Sequence, residues 1–251
     1  MKTTSILCVF RAVAFIAVVV TLSGCTTASG KGNVRKLVAI ADVCTTNGYH
    51  CARVTNSDAI SAAGFLPVLV PCLADTNAVA AIMDRVDALV LTGAIRESYY
   101  KKRDKFEFML IGMALERGLP VVGFCRGHQT INRYFGGKIG PIPNDLKPKV
   151  VHNGRISPYI KDTYHEMEIV PGSRLSKVVK ERRVKINTSH RYHVTELGEG
   201  LVVSARSDDG VIEAFEHKTI PVTGFQFHPE RAFPVLPKHL DMIRDALDPI
   251  K

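Results

Sequence analysis

Four short apolar runs, at residues 37–43, 66–70, 88–91 and 120–124, alternate with segments of helical periodicity at 56–63, 77–85, 103–117 and 127–135. Strands that are apolar on both faces must be covered on both faces, and helices between them supply the cover. The alternation therefore predicts an α/β fold with a mostly parallel sheet between two helical layers. The second half is richer in strands, expected at 166–170, 183–186, 201–205, 211–215 and 221–227, with a closing helix at 237–247.

The fourth run leads directly into Gly123-Phe124-Cys125-Arg126-Gly127 at the start of a helix. A strand–turn–helix with a nucleophile between small residues is the nucleophile-elbow pattern. The helix N-terminus faces the thiol and favours the thiolate. The main-chain N–H of Arg126 is placed for a developing oxyanion. Taken alone, the five residues also suit a core cysteine between two turn glycines.

A cysteine nucleophile needs a histidine and a group that orients it. Among nine histidines, His228 follows a strand-like run and precedes Pro229 and Glu230. In extended chain, residues two apart share a side, so Glu230 is expected to reach the imidazole of His228, with Pro229 stiffening the geometry. A surface His-Pro turn is the plainer alternative.

Residues 123–129, Gly-Phe-Cys-Arg-Gly-His-Gln, resemble the Gly-x-Cys-x-Gly-x-Gln signature of class I glutamine amidotransferases. Arg126, Asn132 and Gly136-Gly137 bring the chain closest to the peptidase C26 branch, the γ-glutamyl-γ-aminobutyrate hydrolase type. Gly224-Phe-Gln-Phe-His-Pro-Glu230 resembles the second signature of that family, which supplies the catalytic His and Glu. The resemblance covers residues 36–235. It implies a flavodoxin-like three-layer sandwich and a Cys125–His228–Glu230 triad that hydrolyses γ-glutamyl amides with no metal or organic cofactor. Leu89-Val-Leu-Thr-Gly93-Ala94 resembles the turn that gives a second oxyanion N–H, with Ala94 where the family has Gly. The loop that follows is shorter than in relatives. Gln129 is implied as support for the substrate pocket. Asn187-Thr-Ser-His190-Arg191 resembles an Asn-Ser-x-His-His stretch, with Arg191 for the second His. Arg126 or His190 is the implied contact for a glutamyl α-carboxylate, and His190 equally suits a plain loop hydrogen bond. Two other functions fit less closely: a glutaminase subunit that passes ammonia to a partner, and a non-catalytic binding lipoprotein.

The N-terminus reads as an address. Lys2 and Arg11 precede and interrupt an apolar stretch, residues 12–20 are unbroken apolar, and Leu22-Ser23-Gly24-Cys25 follows. The run is too short for a permanent span and matches a signal-peptide core. The four residues resemble a bacterial lipobox, with Cys25 as the lipidated residue. The expected organisation is a signal peptide at 1–24, lipidated Cys25 and tether at 25–35, and a hydrolase domain at 36–251. It implies an envelope protein anchored through its lipid, on the outer membrane if the cell is Gram-negative. Outside the cytoplasm a disulfide can form, and Cys44 and Cys51 flank a turn-rich loop that one could close. A homodimer is left open.

The net charge of +9 raises the question of nucleic acid. The basic residues are scattered, including the run Lys101-Lys102-Arg103, and no nucleic-acid motif accompanies them. A solvated basic face is expected, with attraction to an anionic surface as the alternative.

Overall fold

The computed structural model describes residues 35–41, 43–44, 50–94, 100–142, 150–152 and 163–249. The signal sequence and Cys25 lie outside them. No described helix is long and apolar enough to cross a membrane.

The elements run β1 (Leu37–Ala41), β2 (Val43–Cys44), β3 (His50–Cys51), α1 (Val54–Ala62), β4 (Leu66–Val70), α2 (Thr76–Met83), β5 (Ala88–Leu91), α3 (Tyr100–Glu116), β6 (Val121–Phe124) and α4 (Arg126–Tyr134). Then follow β7 (Lys138–Pro141), β8 (Thr163–Ile169), α5 (Arg174–Val179), β9 (Arg183–Thr188), β10 (Tyr192–Glu196), β11 (Leu201–Ser207), β12 (Ile212–His217), β13 (Val222–Phe225), α6 (Pro229–Ala232) and α7 (Lys238–Leu247).

Nine strands form one sheet in the order β4-β1-β5-β6-β13-β12-β11-β8-β9. The first five are mutually parallel, and the last four extend the sheet antiparallel. The expected mixed α/β sandwich is present, and the strand-rich second half accounts for the antiparallel extension.

The alternation of side chains sorts the parallel strands into two cores. Val38, Ile40, Ala88, Val90, Val122 and Phe124 pack on α1, α5 and α7. Ala39, Ala41, Leu89, Leu91 and Val121 pack on α2, α3 and α4. Both faces of β1, β5 and β6 are thus buried, which is why they read as continuous apolar runs. Local signals set the ends. Asp75 caps α2 by accepting from the N–H groups of Asn77 (2.9 Å) and Ala78 (3.1 Å). Gly64, at φ +100°, lets the chain leave α1 with no Cβ penalty.

Three departures from the sequence expectation stand out. The first strand stops at Ala41, and Val43–Cys44 pairs instead with His50–Cys51 as a small hairpin. Its register sets Cys44 against His50 and Cys51 against Val43. The side chain of Cys44 lies outside the described residues, and the Cys44–Cys51 bridge with it. β7 and β10 form an antiparallel pair that no sequence pattern announced. Arg103, expected within a solvated basic run, is fully buried.

Candidate active site

The C-terminal ends of β5, β6 and β13 lie side by side in the sheet and deliver three segments to one place: Thr92-Gly93, Cys125, and Gln226 to His228. That edge is where parallel α/β sheets place their ligands.

Cys125 joins β6 to α4 with φ 51° and ψ −101°, a conformation that costs a non-glycine residue on the order of 1–3 kcal/mol. It is fixed from both sides. Its N–H donates to the Phe225 carbonyl at 2.8 Å, and its carbonyl accepts from the Gln129 N–H at 3.2 Å. Gly127 is required by close approach, because a Cβ there would run into the main chain of Leu91.

His228 and Glu230 form the second half of the site. Nδ1 of His228 lies 2.8 Å from Oε1 of Glu230, and both residues are buried. The remaining nitrogen, Nε2, is the one left for the thiol. Burial alone would push the imidazole pKa down. The negative charge of Glu230, then that of Cys125 with its hydrogen bond, reverses this and raises it to about 9. Burial would raise the Glu230 carboxyl, and the charge and hydrogen bond of His228 hold it below its usual value. The geometry corrects the sequence argument for this pair. The strand ends at Phe225, and Glu230 sits in the first turn of α6, whose N-terminal cap is His228 and which begins with Pro229. The two side chains meet across a helix start, not along extended chain.

Gly93 closes the site from β5. A Cβ there would lie 2.9 Å from Cε1 of His228 and 3.8 Å from Cβ of Cys125, so glycine is what lets the imidazole settle. The carbonyls of Thr92 and Gly93 are held from behind by Arg103, at 2.7 and 3.1 Å. Nε of Arg103 donates to Oε1 of Glu107 at 2.7 Å. The other oxygen of Glu107 takes the Arg126 guanidinium, which also pairs with Asp104. The turn at Gly93 and the residue after the nucleophile are thus tied to one buried carboxylate. With its guanidinium held by two carboxylates, the expected contact to a substrate α-carboxylate moves off the Arg126 side chain.

Gln129 is a brace. Its Nε2 donates to the Tyr192 carbonyl at 2.9 Å and to Oε1 of Gln226 at 3.1 Å. Gln226 in turn aims Nε2 at Sγ of Cys125, 3.8 Å away. Sequence reasoning does not single out Gln226, which stands in the strand-like run. Its signal is a buried-type amide one position before Phe227 among otherwise apolar residues. His190, expected either to contact substrate or to make a plain loop hydrogen bond, makes the loop hydrogen bond. It is buried, with Nδ1 donating to the Tyr192 carbonyl at 3.0 Å and Nε2 facing Glu213 at 3.8 Å.

Comparison with known proteins places the chain among glutamine amidotransferase-like proteins. The family model of peptidase C26 matches residues 35–230, from the first strand through Glu230. A glutamine amidotransferase-like protein of Rickettsia prowazekii is 29% identical over 237 residues, covering 72% of this chain and 83% of that protein. The γ-glutamyl-CDP-amidate hydrolase of Campylobacter jejuni is 32% identical over 152 residues, covering 58% of this chain and 63% of the other. A solved glutamine amidotransferase structure from Thermotoga maritima superposes with a TM-score of 0.56 at 16% identity, covering 85% of this chain and 84% of that one. That last likeness speaks for the fold alone.

Proposed function

The chain belongs to the peptidase C26 family, within the glutamine amidotransferase-like group, and from that premise we propose that it is a γ-glutamyl amide hydrolase working through Cys125, His228 and Glu230. The observation that carries the reading is the buried His228–Glu230 pair beside a strained Cys125. Family membership points to amide hydrolysis, and the C. jejuni relative is by name a γ-glutamyl-CDP-amidate hydrolase.

In this mechanism Sγ of Cys125 attacks the γ-carbonyl carbon of the glutamyl group. The carbonyl electron pair moves onto oxygen, which accepts hydrogen bonds from the main-chain N–H of Arg126 and of Gly93 or Ala94. His228, an imidazolium at neutral pH with its pKa near 9, gives a proton to the leaving amine as the C–N bond breaks. A thioester and a neutral imidazole remain. The imidazole takes a proton from water, the hydroxide adds to the thioester, and glutamate leaves with the thiolate restored. Glu230 keeps the imidazole in one orientation throughout, and Gln129 and Gln226 hold the wall behind the thiol.

We also propose that the mature chain starts at a lipid-bearing Cys25 and works in the cell envelope, on the strength of Leu22-Ser23-Gly24-Cys25. Labelled palmitate incorporated by the native chain and not by Cys25→Ala supports this. Label in both, or in neither, sinks it.

The test of the activity is glutamate release from a panel of γ-glutamyl amides, including glutamine, by wild type and Cys125→Ser. Release by wild type alone establishes the hydrolase and ranks leaving amines. Release from glutamine only, raised by a co-purifying synthase, points to a glutaminase subunit. Silence with every substrate points to a binding protein.

A further inference from the structure

Beside the triad, on the side of the sheet where β8 and β12 lie, stands a second group of buried titratable residues that the hydrolytic mechanism does not use. Its centre is Glu213 on β12, a carboxylate with no exposed surface and no hydrogen bond of normal geometry on either oxygen. Three imidazole nitrogens converge on its Oε1: His152 Nδ1 at 3.3 Å, His165 Nε2 at 3.4 Å and His190 Nε2 at 3.8 Å. None of these three nitrogens reaches normal hydrogen-bond geometry.

The opposite nitrogen of each ring is anchored. His152 Nε2 meets Oδ2 of Asp209 at 2.9 Å, His165 Nδ1 meets the Glu166 carbonyl at 2.9 Å, and His190 Nδ1 meets the Tyr192 carbonyl at 3.0 Å. A carbonyl oxygen only accepts, so Nδ1 of His165 and of His190 carries the proton. In a neutral imidazole the inward nitrogen is then a bare lone pair. Two such lone pairs face the lone pairs of a buried carboxylate, an arrangement that repels itself unless a cation sits between them. A proton on His152 would balance one carboxylate and leave the other two nitrogens facing Glu213 as before.

Distances decide between a hydrogen-bonded cluster and a ligand shell. Charge-assisted N–H to carboxylate bonds close to about 2.7–2.9 Å. Atoms that share a tetrahedral zinc ion at about 2.0–2.1 Å lie about 3.3–3.4 Å from one another. The separations of 3.3 and 3.4 Å from Glu213 Oε1 match the second case, and His190 at 3.8 Å lies outside it. The ligand atoms of His152, His165 and Glu213 all lie within 4.8 Å of one another. Histidine ligands whose far nitrogen is held by a carboxylate or carbonyl are the usual construction of such a site.

We propose that His152 Nδ1, His165 Nε2 and Glu213 Oε1 form a buried site for a divalent transition ion of the zinc class, with His190 Nε2 as the neighbouring nitrogen that completes it. With His190 drawn in as the fourth ligand the site has no open position, and its role is structural. The ion ties the segment at 150–152, β8, the turn after β9 and β12 into one unit. Its effect reaches the triad through the Tyr192 carbonyl, which accepts from both His190 and Gln129, and from Gln129 through Gln226 to Cys125. The proposal stands whether or not the hydrolytic reading does.

The test uses the full chain without a histidine tag. It is stripped with chelator, dialysed, and titrated with Zn2+ by calorimetry, with Co2+ as the spectroscopic probe. One equivalent per chain, a rise in Tm on binding, and the intense visible bands of tetrahedral Co2+ are expected. His165→Asn and Glu213→Gln should each weaken binding at least about 100-fold, and Asp209→Asn, acting through His152, about 10–100-fold. Cys125→Ser should bind as wild type does, which separates this site from the catalytic thiol. Absence of saturable wild-type binding tighter than about 1 μM overturns the proposal, and that titration stands even if a ligand variant does not fold. Unchanged affinity in folded His165→Asn, or loss of the bound equivalent in Cys125→Ser, overturns it too.

Discussion

The Nδ1 atom of His228 and the Oε1 atom of Glu230 lie 2.8 Å apart in a buried setting, although only Pro229 separates the two residues in the chain. The contact fixes the imidazole and lends it the negative charge that an imidazolium needs away from water. Glu230→Gln keeps the shape and removes the charge. We expect glutamate release to fall roughly 10²–10⁴-fold, the range lost when such a base loses its orienting partner. A change of less than about threefold would place the orienting group elsewhere.

The same pair sets the alkaline limit. Because His228 is lifted to about 9, its proton remains available for the leaving amine through neutral pH, and kcat/KM should decline as pH passes about 9. Stability follows by linkage. A folded pKa above the ordinary value of 6.5 means that the contribution is complete below about pH 6.5 and is lost as pH rises to about 9. Glu230, lowered in the fold, contributes above its ordinary value of 4.5 and is lost as pH falls through its depressed pKa. Melting temperatures between pH 6 and 10 should therefore drop more steeply in wild type than in Glu230→Gln. Parallel slopes would contradict the coupling.

Cys125 holds φ 51° and ψ −101° because β6 must turn at once into α4. Glycine reaches this region without penalty. Cys125→Gly and Cys125→Ala both remove the thiol and should both be inactive, but Gly should be the more stable by about 1 kcal/mol, the reverse of the usual order. Thermal unfolding of the two variants side by side checks this. Alanine the more stable would mean that the backbone is not strained there.

The parallel half of the sheet was legible because strands buried on both faces must be apolar throughout, and β5 falls on the expected residues; β4 does too, although it is an edge strand with Leu66 and Leu69 exposed. Cys125 and His228 were legible because each follows such a run, and Glu230 because it stands two residues beyond His228. The β7–β10 pair was not, since Lys138, Gly140 and Pro141 carry none of the alternation that marks a strand. Pro229 suits stiffened extended chain, but proline is as much at home in the first turn of a helix, which is where it lies. Arg103 looks like its exposed neighbours in sequence because nothing local distinguishes a solvated arginine from one whose partners, Thr92, Gly93 and Glu107, come together only in the fold. The histidines around Glu213 are scattered for the same reason. Their meeting depends on β8 and β12 each lying beside β11.

Gly93 is a contact residue by what it lacks. A methyl group there meets Cε1 of His228 at 2.9 Å, well inside van der Waals contact. In Gly93→Ala the imidazole must shift away from the thiol, and a displacement on the order of 1 Å is enough to cost about 100-fold in rate. The loss should appear in kcat, with the fold retained by circular dichroism. Ala94→Gly, next to it at an exposed position, adds no atom near the imidazole and should leave kcat/KM within about threefold or raise it, since glycine only widens the backbone angles open to the turn. Equal losses in both variants would assign the effect to the turn as a whole.

Glu107 carries the largest expected penalty for a residue that does not touch the triad. It is fully buried, and its two oxygens serve different arginines: Oε1 takes Arg103 and Oε2 takes Arg126, with the Thr130 hydroxyl at 3.3 Å. Arg103 holds the Thr92 and Gly93 carbonyls, and Arg126 follows the nucleophile, so one carboxylate positions both main-chain turns proposed to bind the oxyanion. Glu107→Gln leaves two arginine charges with less compensation in a buried site. Breaking such a network costs about 3–5 kcal/mol, or about 6–12 °C in Tm for a domain of this size. Activity should also fall in molecules that remain folded, chiefly through kcat, because the oxyanion donors drift while the substrate contacts remain. A double variant, Glu107→Gln with Arg103→Met, removes one of the stranded charges and should recover part of the stability without recovering kcat, since the Thr92 and Gly93 carbonyls stay unheld. Full recovery of kcat in the double variant would mean that Arg103 does not position the turn.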